Sequence, residues 1–178
     1  MKKREMKSSS IGLEHEAMLW NIQYTHARCC ELRLLWDESQ SSRCQSLGGE
    51  SVGQAHRSPS SVAAPLPWLD AEHQLRGHNI QSMQLIQALM ATADDMLWIP
   101  YQWPSQQYYL LLRRAIQLCQ AFDSFYRACL SGFSQIPSGA EAAETLKFQA
   151  WFGLVVATEK ILKALLESCF HAESPQTL

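Results

Sequence analysis

Tyr24, His26 and Arg28 stand at i, i+2 and i+4. On a helix, positions four apart share a face, while the position between them points away. Tyr24 and Arg28 could therefore act as a pair. An exposed tyrosine ring stacks on an unpaired base, and a guanidinium forks onto a phosphate or a base edge. The same two residues also have a plainer use, with Tyr24 packed in a core and Arg28 paired with an acidic neighbour. The sequence leaves both open. His26, pointing elsewhere, is read as a structural hydrogen-bonding residue.

A second group lies about ninety residues on. Phe122 and Phe125 repeat at helical spacing and are read as core. Tyr126 follows them and is the open case: core or contact. Arg113 and Arg114 precede them on the same helical stretch. Two adjacent arginines are ordinarily a solvated face, and RNA contact is the alternative. Trp151 is read as core, although an exposed tryptophan would be a binding anchor. Trp98, Tyr101 and Trp103, among two prolines, are read as capping the bundle.

Other chemistry has little support. No Gly-rich phosphate loop, Gly-x-Ser-x-Gly or His-Glu-x-x-His sequence occurs. Asp94 and Asp95 are adjacent, so on a helix they diverge and form no carboxylate dyad. The six cysteines include no Cys-x-x-Cys pair, and His73 and His78 are five apart, so neither metal nor cofactor is expected. Cys29 and Cys30 point to different sides of a helix, so at most one of them need be core.

The elements that position these residues are helical. Leu13 to about Trp36 reads as a first helix, with Leu13, Ala17, Trp20, Tyr24, Ala27 and Leu34 as its apolar row and Ile22, Cys29 and Leu32 beside it. A second is predicted from about Ala71 to Met96, its row being Leu75, Ile80, Met83, Ile86, Leu89, Met90 and Ala93. Pro104 suits the first turn of a third, where its missing N–H costs nothing, and that helix reaches about Leu130. Ser138 and Glu141 have capping-box spacing before a fourth, which runs to about Phe170 on Leu146, Ala150, Leu154, Ala157, Ile161, Leu165 and Cys169. No alternating strand pattern occurs. The fold expected is all-α, an antiparallel bundle of four main helices spanning 13–178. Residues 1–12 read as a basic polar tail. Residues 37–67, rich in Ser, Gly, Gln and Pro, read as a disordered insert, because such a composition buries too little apolar area to offset chain entropy.

Composition bounds the partners. A formal charge of −2 argues against strong non-specific nucleic-acid binding, which draws on Lys and Arg. Charged residues make up 18% of the chain against 47% apolar, a balance that leaves apolar surface for a partner. No apolar run follows Met1-Lys2-Lys3-Arg4, and no stretch of about eighteen apolar residues exists. A cytoplasmic protein with reduced thiols and no membrane span is expected.

Three segments add a resemblance. Trp20 to Arg28 contains Ile-Gln-Tyr-Thr-His-Ala-Arg, similar to the Val-Gln-Tyr-Ala-His-Ala-Arg that opens the anticodon-binding (DALR) domain of arginyl-tRNA synthetases. Leu118 to Tyr126 is similar to that family's Leu-Ala-Gln-Ala-Phe-Asn-Ser-Phe-Tyr, and Leu154 to Leu162 to its Leu-Val-Glu-Ala-Thr-Arg-Gln-Val-Leu. The three stand in the family's order, and the resemblance covers roughly 14–178 without the insert. It departs where Arg113-Arg114 replaces the family's usual Asn-Tyr, where Trp151 replaces Arg, and where Leu178 stands in place of a final Met. What the resemblance implies is a helical anticodon-binding bundle standing alone, with tRNA as ligand. Its RNA-contacting residues would be Tyr24, Arg28, Arg113, Arg114 and Tyr126. The His-Ile-Gly-His-like and Lys-Met-Ser-Lys-like motifs of aminoacylation are absent, so no enzyme activity is expected. The alternative is an interaction module or accessory subunit, bound to a synthetase or another protein, that kept the fold and lost RNA reading.

Overall fold

A computed structural model describes the backbone of residues 3–46, 79–98, 105–130 and 142–177. Four helices account for nearly all of it, and among the described residues there is no strand. Helix α1 spans Lys3–Ser46, α2 Ile80–Trp98, α3 Ser105–Phe125 and α4 Ala142–Ala164. Helix α3 ends in a π-helical turn, Tyr126–Leu130, and α4 in another, Leu165–Cys169.

Helix α1 is longer at both ends than its apolar row predicts. It includes most of the expected basic tail and the first ten residues of the expected insert, 37–46. The physical reason is the absence of breakers. Gly12 is the one weak helix former of that kind in the span, at a cost of about 1 kcal/mol, and the next glycines are Gly48 and Gly49. Polar composition alone does not end a helix. The remainder of the expected insert, the Trp98–Trp103 cluster's side chains, Pro104 and the Ser138–Glu141 capping pair lie outside the described residues.

Helix α2 begins at Ile80, its start built by Asn79, and the predicted stretch from Ala71 to residue 78 lies outside the described residues. The Asn79 side-chain oxygen accepts from the Ser82 backbone N–H at 2.7 Å, and Ser82 Oγ accepts from the Asn79 N–H at 3.0 Å. Two N–H groups that a helix start leaves unpaired are satisfied reciprocally.

Consecutive helices alternate in direction, but lateral neighbours do not follow chain order. Helix α1 packs on α3 and α4, and α2 packs on the same two from the opposite corner. His15 meets Tyr108 and Arg28 meets Asp123, so α1 and α3 run parallel. Arg33 meets Glu159 and Trp36 stacks on Phe152, so α1 and α4 run antiparallel. The four-helix all-α bundle is therefore as expected, with the refinement that one of the tight pairs is parallel.

Helix α3 supplies the centre. Leu111, Leu112, Ala115, Leu118, Cys119, Phe122 and Phe125 are all buried, as its apolar face predicts. Helix α1 is turned from its predicted orientation. Its buried line is Ile22, Thr25, His26, Cys29, Leu32 and Trp36, whereas Trp20 is 67% exposed and Leu34 is 48% exposed. Cys29 and Cys30 are both buried, because α1 is covered on more than one side. Helix α4 buries Trp151, Phe152, Val155, Thr158, Leu162 and Leu165, a line about one residue off the predicted row. Trp151 packs edge-on against Phe148 and Phe125, in the core as expected.

Past α4 the chain turns back. His171 takes a left-handed conformation, φ 52°, and the Ala172 N–H reaches the Leu166 carbonyl at 2.8 Å. That geometry closes a helix end and redirects the chain. Residues 172–177 then run beside α1, where Gln23 Nε2 donates to the Glu173 carbonyl at 3.0 Å and His26 Nδ1 bonds the Pro175 carbonyl at 2.8 Å.

Candidate nucleic-acid interface

The outer face of α1 carries Trp20, Tyr24 and Arg28 at intervals of four, one above the other. The rings of Trp20 and Tyr24 are stacked, with centroids 5.7 Å apart and planes 15° from parallel. Trp20 is 67% exposed and Tyr24 39%, so the stacked pair is open to solvent. One turn on, the Arg28 guanidinium lies 3.8 Å from the centroid of the half-buried Tyr126 ring. Its Nη1 donates to Asp123 Oδ1 at 3.1 Å. Arg127 approaches the other oxygen of the same carboxylate at 3.9 Å.

Three of the five predicted contact residues thus come together where α1 meets α3: Tyr24, Arg28 and Tyr126. The charges there are not free. Asp123 holds two arginines, and the Arg28 pair joins a quarter-exposed side chain to one 44% exposed. Pairs so open to solvent contribute about 0–1 kcal/mol, so a phosphate oxygen can compete for the same guanidinium.

Arg113 and Arg114 are elsewhere. Twelve residues of helix separate Arg114 from Tyr126, roughly 18 Å along the axis. Arg114 Nε donates to Asp95 Oδ2 at 2.8 Å, and its Nη1 to Gln117 at 3.1 Å, which ties α3 to α2. Arg113 is exposed and has no ion-pair or hydrogen-bond partner among the described residues.

Trp20 and Asp123 were not singled out in the sequence. Trp20 continues the four-residue series of Tyr24 and Arg28, a signal that could have found it. Asp123 stands four before Arg127, a spacing that marks the local pair but gives no sign of Arg28 across the bundle.

Behind this face lies a buried polar group. His26 is fully buried and oriented by the Pro175 carbonyl, the kind of hydrogen bond the sequence reading assigns to it. Cys30, one turn on, is pushed up to about 11 by burial and by the nearby Glu159 carboxylate. Burial also pushes Cys119 up to about 12. Both stay protonated at neutral pH, which makes them poor nucleophiles. Glu159 is paired with Arg33 at 2.9 Å. Among the described residues, no helix is long and apolar enough to cross a membrane.

No protein-family model, no curated protein and no solved structure matches this chain.

Proposed function

We propose that this protein binds an unpaired segment of RNA, with a tRNA loop as the ligand that the resemblance to arginyl-tRNA synthetase anticodon-binding domains implies. The observation that carries the reading is the stacked, solvent-facing Trp20–Tyr24 pair one helical turn from a guanidinium already lying on a tyrosine ring. Bases stack on such aromatic faces without regard to sequence, and each stacked base contributes about 1–3 kcal/mol. Arg28 and Arg127 supply phosphate contacts once Asp123 releases them. Because most arginines near the face are neutralised by carboxylates, binding leans on stacking more than on charge. Arg113 and Arg114 then serve at most a distant stretch of the same RNA.

The test is binding of purified protein to total tRNA and to a short single-stranded RNA, titrated across salt. The expected result is affinity that falls by roughly tenfold or more per removed ring in Trp20→Ala and Tyr24→Ala, with a salt slope equivalent to only about one to three phosphates. Absence of binding at low salt would sink the reading.

One observation favours a protein partner instead. Helix α2 exposes Ile80, Met83, Met90 and Leu97 along one side, the last three at intervals of seven. A row of that spacing fits the groove of another helix, and methionine adapts to irregular partners. A synthetase or another helical protein would meet this side, leaving the α1 face unused.

A further inference from the structure

We propose that His26, Cys30 and Glu159 form a three-ligand site for a divalent transition metal, with zinc the fitting ion. The three are the one group of metal-capable side chains that the described residues bring together, and their ligand atoms all lie within 4.8 Å of one another. His26 and Cys30 sit one turn apart on α1, on the side that faces α4, where Glu159 stands. The sequence alone does not offer this set, because its third member comes from a helix more than a hundred residues away and no Cys-x-x-Cys or His-x-x-x-His spacing marks it. The proposal is independent of RNA binding, since none of the three reaches the α1–α3 face.

The arrangement around His26 is that of an oriented ligand. Its Nδ1 bonds the Pro175 carbonyl at 2.8 Å, which fixes that nitrogen as the N–H and leaves the lone pair on Nε2. Metal-bound histidines are held in this way, by a carbonyl or carboxylate on the other nitrogen. The imidazole is fully buried, and the Cys30 sulfur lies 3.9 Å from each of its nitrogens, so metal binding would draw the sulfur toward Nε2. That distance is long for a thiol hydrogen bond. It is close to the roughly 3.5 Å that zinc–nitrogen and zinc–sulfur bonds of about 2.0 and 2.3 Å impose on two ligands. A contraction of up to about 1.3 Å in the widest pair completes the geometry.

Charge also fits. A zinc ion, a thiolate and a carboxylate sum to zero, and the remaining positive charge is that of Arg33, whose side chain is 31% exposed and so partly hydrated. Binding displaces the Cys30 thiol proton to solvent as the sulfur–metal bond forms. Glu159 keeps one oxygen with Arg33, 2.9 Å away, while the other takes the metal, so Arg33 holds the carboxylate in place. The imidazole–thiolate–carboxylate set is borderline-soft, which suits zinc over magnesium or calcium. Three protein ligands leave a fourth position for water or a further group. Zinc there would lock α1, α4 and the C-terminal segment into one unit.

The full chain, reduced and stripped of metal, is titrated with cobalt(II) as a coloured stand-in and then with zinc. The expected result is one cobalt per chain with a thiolate-to-metal charge-transfer band that zinc abolishes. The band disappears in Cys30→Ser and persists in Cys169→Ser, and Glu159→Gln weakens affinity at least about tenfold. Helical circular dichroism is recorded for each variant, and zinc is expected to raise the Tm of the native chain and of Cys169→Ser but not of Glu159→Gln, whose uncharged carboxamide keeps the side chain's size. A titration without a band, a band that survives Cys30→Ser, or an equal zinc-induced rise in Tm in Glu159→Gln overturns the proposal.

Discussion

Helices α3 and α1 lie side by side and use their apolar residues differently. Helix α3 buries leucines, alanine and two phenylalanines, and exposes Arg113, Gln117 and Gln120 together with Tyr109 and Leu110 near its start. Helix α1 buries Thr25, His26, Cys29 and Cys30 among Ile22, Ala27, Leu32 and Trp36, and leaves Trp20, Tyr24, Leu34 and Leu35 in water. The first arrangement stabilises the bundle by removing apolar area from solvent. The second spends stabilisation on polar groups that need partners, and keeps large side chains available outside. Helix α1 thus both supports the bundle and presents an outer aromatic row, and the contrast can be tested residue by residue.

The largest effect is expected in α3. Phe122→Ala should destabilise by about 3–5 kcal/mol in denaturant titration, since the ring is fully buried among Phe125 and Tyr126. A cost below that of an ordinary surface change would mean that α3 is not the centre of the core. His26→Ala should cost less, about 1–3 kcal/mol, because the Pro175 carbonyl loses its donor. A neutral result would show that the C-terminal segment does not rest on α1. Trp20→Ala and Tyr24→Ala should shift stability by under about 0.5 kcal/mol while lowering RNA affinity, a split that a core role could not give. Met83→Ser with Met90→Ser sharpens the contrast: unchanged RNA binding keeps the two exposed faces separate, and lost RNA binding would merge them. The smallest effect belongs to Asp123→Asn. Loss of an exposed pair changes stability by at most about 1 kcal/mol, and freeing Arg28 and Arg127 should tighten RNA about two- to fivefold. Weaker binding in that variant would show Asp123 positioning the arginines rather than masking them.

The same contrast explains what was legible in the sequence. The four helices and the all-α class follow from helical spacing without any strand alternation. The α3 core follows too, because Leu111, Leu112, Ala115, Leu118, Phe122 and Phe125 fall on one side at helical spacing, although Tyr109 and Leu110 stand outside it. Helix α1 has two apolar rows at helical spacing, one through Trp20 and Tyr24 and one through Ile22, Cys29 and Trp36, and periodicity cannot choose between them. The choice is made by residues far along the chain: Glu159 opposite Arg33, and the segment at 173–175 that covers Gln23 and His26. Of the residue types singled out in the sequence, Arg28 and Tyr126 meet across α1 and α3, with Tyr24 one turn away. The electrostatics of the site was not legible, since Asp123 neutralises Arg28 and Asp95 neutralises Arg114 across helix pairs that no local pattern reveals.

The hydrogen bond between His26 and the Pro175 carbonyl spans 149 residues. Contacts of such sequence separation form late, after the local helices they join. During synthesis, α1 emerges well before residue 175, and its imidazole finds that acceptor only after α2, α3 and α4 have followed. A nascent chain that has made α1 but not residue 175 therefore carries an uncovered side of α1 next to an already exposed aromatic pair. Association with itself or with a chaperone is most expected at that stage, and it ends when residues 173–175 settle along α1.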